Sequence, residues 1–114
     1  MSNGIKFELE EKGHVSLFRL EGRLDATSSP QLEIKLQEKI DSGQKNILLD
    51  FGRVDYLSSA GMRLLLSMTR RLKGDGGQLA VCSLNDDVME IIKVAGFERI
   101  LNIHPTETTA LDSF

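Results

Sequence analysis

The sequence predicts one α/β domain, with a mixed β-sheet that opens on an antiparallel hairpin and continues through β-α crossovers. Three observations predict it. Residues 5–10 alternate strictly, with Ile5, Phe7 and Leu9 against Lys6, Glu8 and Glu10, which is the period of a half-buried strand. The run Ile47-Leu48-Leu49 is apolar on both faces, as in the middle of a covered parallel sheet. After the first two strands, strand-like and helix-like segments alternate, for an expected order ββαβαβαβα without repeats or linkers. A chain of 114 residues has the length of one domain, so the whole of 1–114 is assigned to it.

Each element has its own signal. The first strand, 5–10, carries its charge on one side, as edge strands do to discourage unwanted pairing. Lys12-Gly13 turns the chain into a second strand, 14–20, whose Val15, Leu17, Phe18 and Leu20 occupy both faces. A loop is expected over 21–26. Thr27-Ser28-Ser29-Pro30 signals a helix start with a hydroxyl cap and Pro in the first turn. That helix runs to about 42 with Leu32, Leu36 and Ile40 in one stripe and Ile34 off it, and Gly43 ends it. The third strand is expected over 45–51, followed by a loop in which Asp55 is a turn residue.

A long amphipathic helix then spans about 59–73. At roughly 100° per residue, Met62, Leu65, Leu66, Met68, Thr69 and Leu72 form a core stripe, and Ser59, Arg63 and Arg70 lie on its flank. Gly74-Asp75-Gly76-Gly77 is a loop, and 78–84 is a core strand in which Cys82 acts as a small hydrophobe. Asn85-Asp86-Asp87 caps a helix that ends at Gly96 and buries Val88, Ile91, Ile92 and Ala95. A short strand over 99–103 and a final helix over 106–113 complete the chain.

Composition narrows the function. The chain is 40% apolar and 27% charged with a net charge of −3, and its basic residues are scattered, so no nucleic-acid partner is expected. No apolar run has the length of a membrane span, so no membrane partner is expected either. The opening MSNGIKFELEE lacks a signal-peptide core, and a single cysteine excludes an internal disulfide, which makes a cytoplasmic setting the expectation. Only His14 and His104 are available as bases or imidazole ligands, and no metal-ligand spacing exists. Gly-x-Ser-x-Gly is absent because position 57 is Leu, and the Gly74–Gly77 loop follows a helix instead of preceding one, so it is no phosphate cradle. No enzyme activity, cofactor or metal is expected.

What remains is a hydroxyl at the start of the long helix. Helix N-termini present backbone N–H groups without intrahelical partners, which suits an N-cap serine and also favours a phosphate. Ser59, with Ser58 as the alternative, is the hydroxyl in question. Asp25, in the loop after the second strand, is either a turn acid or a neighbour of that helix start.

Gly22-Arg23-Leu24-Asp25, Ile47-Leu48-Leu49-Asp50-Phe51, Val54-Asp55-Tyr56-Leu57-Ser58-Ser59-Ala60-Gly61-Met62 and Val94-Ala95-Gly96-Phe97 together resemble the STAS-domain anti-sigma-factor antagonists. The resemblance covers nearly the whole chain with consistent spacing. It implies a STAS-like fold and a partner switch. The unphosphorylated antagonist would bind an anti-sigma factor that is also a serine protein kinase of the GHKL ATPase type. Phosphorylation would release it, and a serine phosphatase would restore it. The resemblance places the phosphoacceptor at Ser59, two residues before Gly61, and matches Asp25 to the acid beside it. The partner-binding set is then Asp25, Ser58, Ser59, Ala60, Gly61, Met62 and Arg63. Where the family commonly has Asp before the acceptor this chain has Ser58, and Ala60 replaces a second hydroxyl residue, which leaves Ser58 as a second available acceptor. The other reading is a STAS-like module that binds a nucleotide or other small ligand, or scaffolds a sensor complex, without a phosphorylation switch.

Overall fold

The computed structural model describes residues 4–114, and in it five strands stand side by side in chain order. Residues 1–3, the start of the segment read above as lacking a signal-peptide core, lie outside the described residues. Strand β1 (Ile5–Lys12) pairs antiparallel with β2 (Val15–Leu24) through the expected turn at Gly13. Strands β2, β3 (Asn46–Leu57), β4 (Gln78–Cys82) and β5 (Ile103–His104) are all parallel. The crossovers between them are α1 (Ser29–Asp41), α2 (Ser59–Gly74) and α3 (Asp86–Val94), and α4 (Glu107–Asp112) follows β5.

A strand order that advances one place at a time, with crossovers of one hand, puts the connecting helices on one face of the sheet. Leu32 and Leu36 of α1, Leu65 and Leu72 of α2, and Val88 and Ile92 of α3 therefore share a core with Phe18, Ile47, Leu49, Phe51 and Val81. The other face carries Val15, Leu17, Leu48, Ala80 and Cys82, packed against Ala110, Leu111 and Phe114. Leu48 and Leu49 are both 0% exposed although they point to opposite faces, so both sides of the sheet centre are covered, as the apolar run implied.

Two strands outrun their expected ends, and this positions the site. The sequence places the ends of β2 and β3 at 20 and 51; the structure carries them to Leu24 and Leu57. Gly22 pairs with Val54 and Leu24 with Leu57, with register shifts between Arg19 and Glu21 and between Gly22 and Arg23. Those irregularities break the period-2 pattern, so this extension does not show as alternation. Asp55 accordingly lies in β3 and not in a turn. Strand β4 pairs only with Asn46–Asp50 of β3, so the distal halves of β2 and β3 project past it as a two-stranded arm. At the other end of the chain, β5 is reduced to Ile103–His104, and 98–100 form a turn instead of the start of a strand.

The caps also sort differently from the sequence expectation in one case. Asn85 accepts from the Val88 N–H at 2.8 Å, and its amide donates to the Val54 carbonyl at 3.1 Å, which ties α3 to β3. Thr106 caps α4 in a capping box with Thr109. Ser28, at the N-cap of α1, makes no side-chain cap bond; its hydroxyl donates to the Arg23 carbonyl at 2.6 Å.

Candidate functional site

The arm formed by β2 and β3 ends where α1 and α2 begin. The Ser58 N–H donates to the Leu24 carbonyl at 2.9 Å, so the last strand residue of β2 is bonded directly to the residue that opens α2. Asp25 follows Leu24 immediately. The two loops that the sequence could only suggest as neighbours are thus joined by a backbone hydrogen bond at the carboxyl ends of adjacent parallel strands, where sites on such sheets are built.

Gly61 permits this approach. A Cβ built there would lie 2.7 Å from Leu57 Cδ1, 2.9 Å from Leu24 Cγ and 2.9 Å from the Leu24 carbonyl oxygen. The third of these is backbone and cannot turn aside. The first turn of α2 therefore packs on the β2–β3 arm only because position 61 has no side chain.

The two serines have separate roles. Ser58 is the N-cap, with extended backbone and a hydroxyl that accepts from the Gly61 N–H at 3.2 Å. Ser59 is the first helical residue, exposed, and its hydroxyl makes no hydrogen bond among the described residues. Read from the sequence, Ser59 is the cap of this helix; the structure corrects that and gives the cap to Ser58, which has the extended backbone, while Ser59 is already helical. Ser59 is left uncommitted at the positive end of a 16-residue helix.

Asp25 is a turn acid in its local bonding. Its Oδ1 accepts from the N–H groups of Thr27 and Ser28, each at 3.0 Å, and its carbonyl accepts from the Ser29 N–H. The Ser28 N–H above all, with that of Thr27, holds its carboxyl below the usual carboxylate range, so a negative charge is fixed at the start of α1, one residue beyond the Leu24 carbonyl that binds Ser58. Arg23 lies over the Tyr56 ring at 4.3 Å, a cation–π contact across the arm that the sequence does not signal.

Of the remaining residues of the expected partner-binding set, Ala60 is half-buried and Arg63 exposed, whereas Gly61 and Met62 are buried. Met62, at 4% exposed, belongs to the core. Beside the serines lies a feature that sequence analysis missed: a cleft of about 370 Å³ between α2 and α3, lined by Ser58, Ser59, Leu66, Ile91, Ala95 and Phe97 among others. Its signal is faint, because Leu66, Ile91 and Ala95 fall on helix faces whose periodicity reads as core. Ile91 and Phe97 are only partly buried and Ala95 is exposed.

Among the described residues no group of His, Cys, Asp and Glu is disposed to hold a metal, and no helix is long and apolar enough to cross a membrane. Burial pushes the Cys82 thiol up to about 11, which removes it as a nucleophile near neutrality.

Comparison with known proteins agrees with this architecture. The STAS domain family model matches residues 6–110. The chain is 34% identical over 110 residues to BtrV of Bordetella bronchiseptica, whose name carries the provisional designation anti-sigma factor antagonist; the match covers 96% of this chain and 95% of that one. It is 28% identical over 108 residues to the anti-sigma F factor antagonist of Paenibacillus polymyxa, covering 94% and 92% of the two chains. An anti-sigma factor antagonist from Mycobacterium paratuberculosis has the same fold, with a TM-score of 0.88 at 21% identity over 99% of this chain and 96% of that one. With a match to nearly its whole length and the fold in common, the chain belongs to the STAS domain family.

Proposed function

We infer that the protein is an anti-sigma-factor antagonist that acts as a non-enzymatic partner switch, with Ser59 as the phosphoacceptor. Similarity to two relatives that carry the antagonist designation supports the class of function. The observation that carries the switch is the state of Ser59: exposed, at the first position of α2, and without a hydrogen bond that phosphorylation would break.

A phosphate there adds about 1.5–2 negative charges at neutral pH. The helix terminus favours that charge, and Arg63, one turn on, is within pairing distance for an i, i+4 couple. The fold therefore tolerates modification, while the surface changes from a small neutral patch into an anionic one beside the fixed charge of Asp25. An anti-sigma factor that binds Ser58, Ser59, Ala60 and Arg63 would lose contact through the interface and not through unfolding. The partner in this reading is a serine protein kinase of the GHKL ATPase type, opposed by a serine phosphatase.

The test is to incubate the protein with ATP and each kinase-like protein of its own genome and to map phosphosites. The reading expects phosphate on Ser59 from one kinase and loss of that kinase from a pull-down after modification. Phosphate on no serine of the 58–59 pair, or ligand-dependent thermal stabilisation by nucleotides without phosphorylation, would replace it by the small-ligand reading.

A further inference from the structure

Helix α2 holds four basic residues, Arg63, Arg70, Arg71 and Lys73, and not one acid over its 16 residues. In a chain whose net charge is −3 this is a local inversion of sign. Arg63, Ser67, Arg70 and Arg71 stand at i, i+4, i+7 and i+8, so they form one stripe on the side away from the core. Among the described residues none of the three arginines takes part in an ion pair; Arg71 donates to Gln37 Oε1 at 2.9 Å, and Arg63 and Arg70 make no side-chain hydrogen bond. The nearby acid Glu33 lines a separate cleft with Arg63 without pairing to it.

The helix dipole accounts for only part of this stripe. Cations are stabilising in the last turn, where Arg71 and Lys73 sit. Arg63 is the fifth residue of the helix, near the positive end, where the dipole gives a cation no support. The dipole therefore does not account for Arg63.

The stripe lines a shallow groove with Leu66 and Ser67. Leu66 and Arg63 also line the cleft that begins at Ser58 and Ser59 and reaches Ile91 and Phe97. One surface thus runs from the serines, over an apolar cleft, to an unpaired arginine stripe. Phe97 is the one aromatic ring among the residues that line this surface, fewer than the successive stacking platforms on which single-stranded nucleic acids are held.

We propose that this surface docks an acidic segment of the partner kinase, with an apolar side chain seated between α2 and α3 and its carboxylates along Arg63, Arg70 and Arg71. The proposal rests on the reading of the chain as a kinase-binding switch. It adds a second effect of phosphorylation: a phosphate on Ser59 competes for Arg63, one turn away, and removes one end of the stripe from the partner.

The test has two arms. In the first, the kinase that phosphorylates the protein is titrated against wild type, the R70E/R71E variant and the R70K/R71K variant at low and high salt. Charge reversal is expected to weaken binding on the order of tenfold or more and to abolish the salt dependence, while the lysine variant stays within a few-fold of wild type. Equal affinity for all three overturns the proposal while leaving the switch intact; phosphorylation by no kinase fails the switch itself. The second arm needs no kinase. A glutamate peptide with leucine at helical spacing is added to isotope-labelled protein, beside its lysine counterpart. Shifts at Arg63, Leu66, Arg70 and Arg71 with the acidic peptide alone support the proposal. No shifts, shifts with both peptides, or stronger binding of single-stranded RNA or anionic vesicles to the same residues overturn it.

Discussion

Replacing each serine at the start of α2 in turn separates cap from acceptor. Ser58→Ala removes the oxygen that accepts from the Gly61 N–H at 3.2 Å, and leaves the backbone bond from the Ser58 N–H to the Leu24 carbonyl in place. Loss of an N-cap side chain costs about 1 kcal/mol, within a range of about 0.5–2. For a domain of this size that lowers Tm by about 3–6 °C. Ser59→Ala removes an exposed hydroxyl without a partner, a surface change worth less than about 0.5 kcal/mol. The two variants are therefore expected to dissociate: Ser58→Ala melts lower and still accepts phosphate, whereas Ser59→Ala melts like wild type and accepts none. Thermal melts by circular dichroism and phosphate incorporation followed by intact mass give both readouts from one preparation. If Ser59→Ala is the destabilised variant, the assignment of the cap is refuted. If phosphate disappears from Ser58→Ala and persists in Ser59→Ala, the acceptor is Ser58.

Gly61→Ala forces a Cβ to within 2.9 Å of the Leu24 carbonyl, and should cost about 1–3 kcal/mol in a urea melt while slowing phosphorylation by shifting α2 off the arm. Ser59→Glu should leave Tm within about 2 °C of wild type, since a carboxylate is favourable at a helix start, yet weaken binding to the kinase by about tenfold or more in a calorimetric titration. On the opposite face of the sheet, Arg19 grips Glu107 through two hydrogen bonds of 2.8 and 3.0 Å, chiefly holding that carboxyl well below its usual range. Burial, with Glu107 beside it, pushes Asp50 up from 3.8 to about 6. A carboxyl that holds its proton more tightly in the folded chain makes stability fall as pH rises between about 4 and 6. Asp50→Asn should remove that slope from a plot of Tm against pH; an unchanged slope would assign it to another group. Below about pH 4.5 the depressed Glu107 acts in the other direction, and Arg19→Ala should weaken the loss of stability on further acidification.

Much of this protein was legible in the sequence because most of its elements carry their signal locally. The strand over 5–10, the stripe from Met62 to Leu72 and the cap at Asn85 are properties of short segments, and the structure contains each, although Leu9 on the side read as buried is 45% exposed. Three features needed the folded chain. The distal halves of β2 and β3 are strands only because each supplies the other's hydrogen bonds across a bulged register, so 21–24 alone resembles a loop. The division of labour between Ser58 and Ser59 turns on which residue has extended backbone, a choice set by the bond from Ser58 to Leu24 and by the contact that Gly61 allows. The pairing of the Asp25 turn with the start of α2, and the cleft between α2 and α3, join segments that are distant in the chain. Local sequence determines the centres of the strands and helices, because propensity and periodicity act over a few residues. Which of them meet is decided by packing, because a contact between distant segments exists only once the sheet has brought them together.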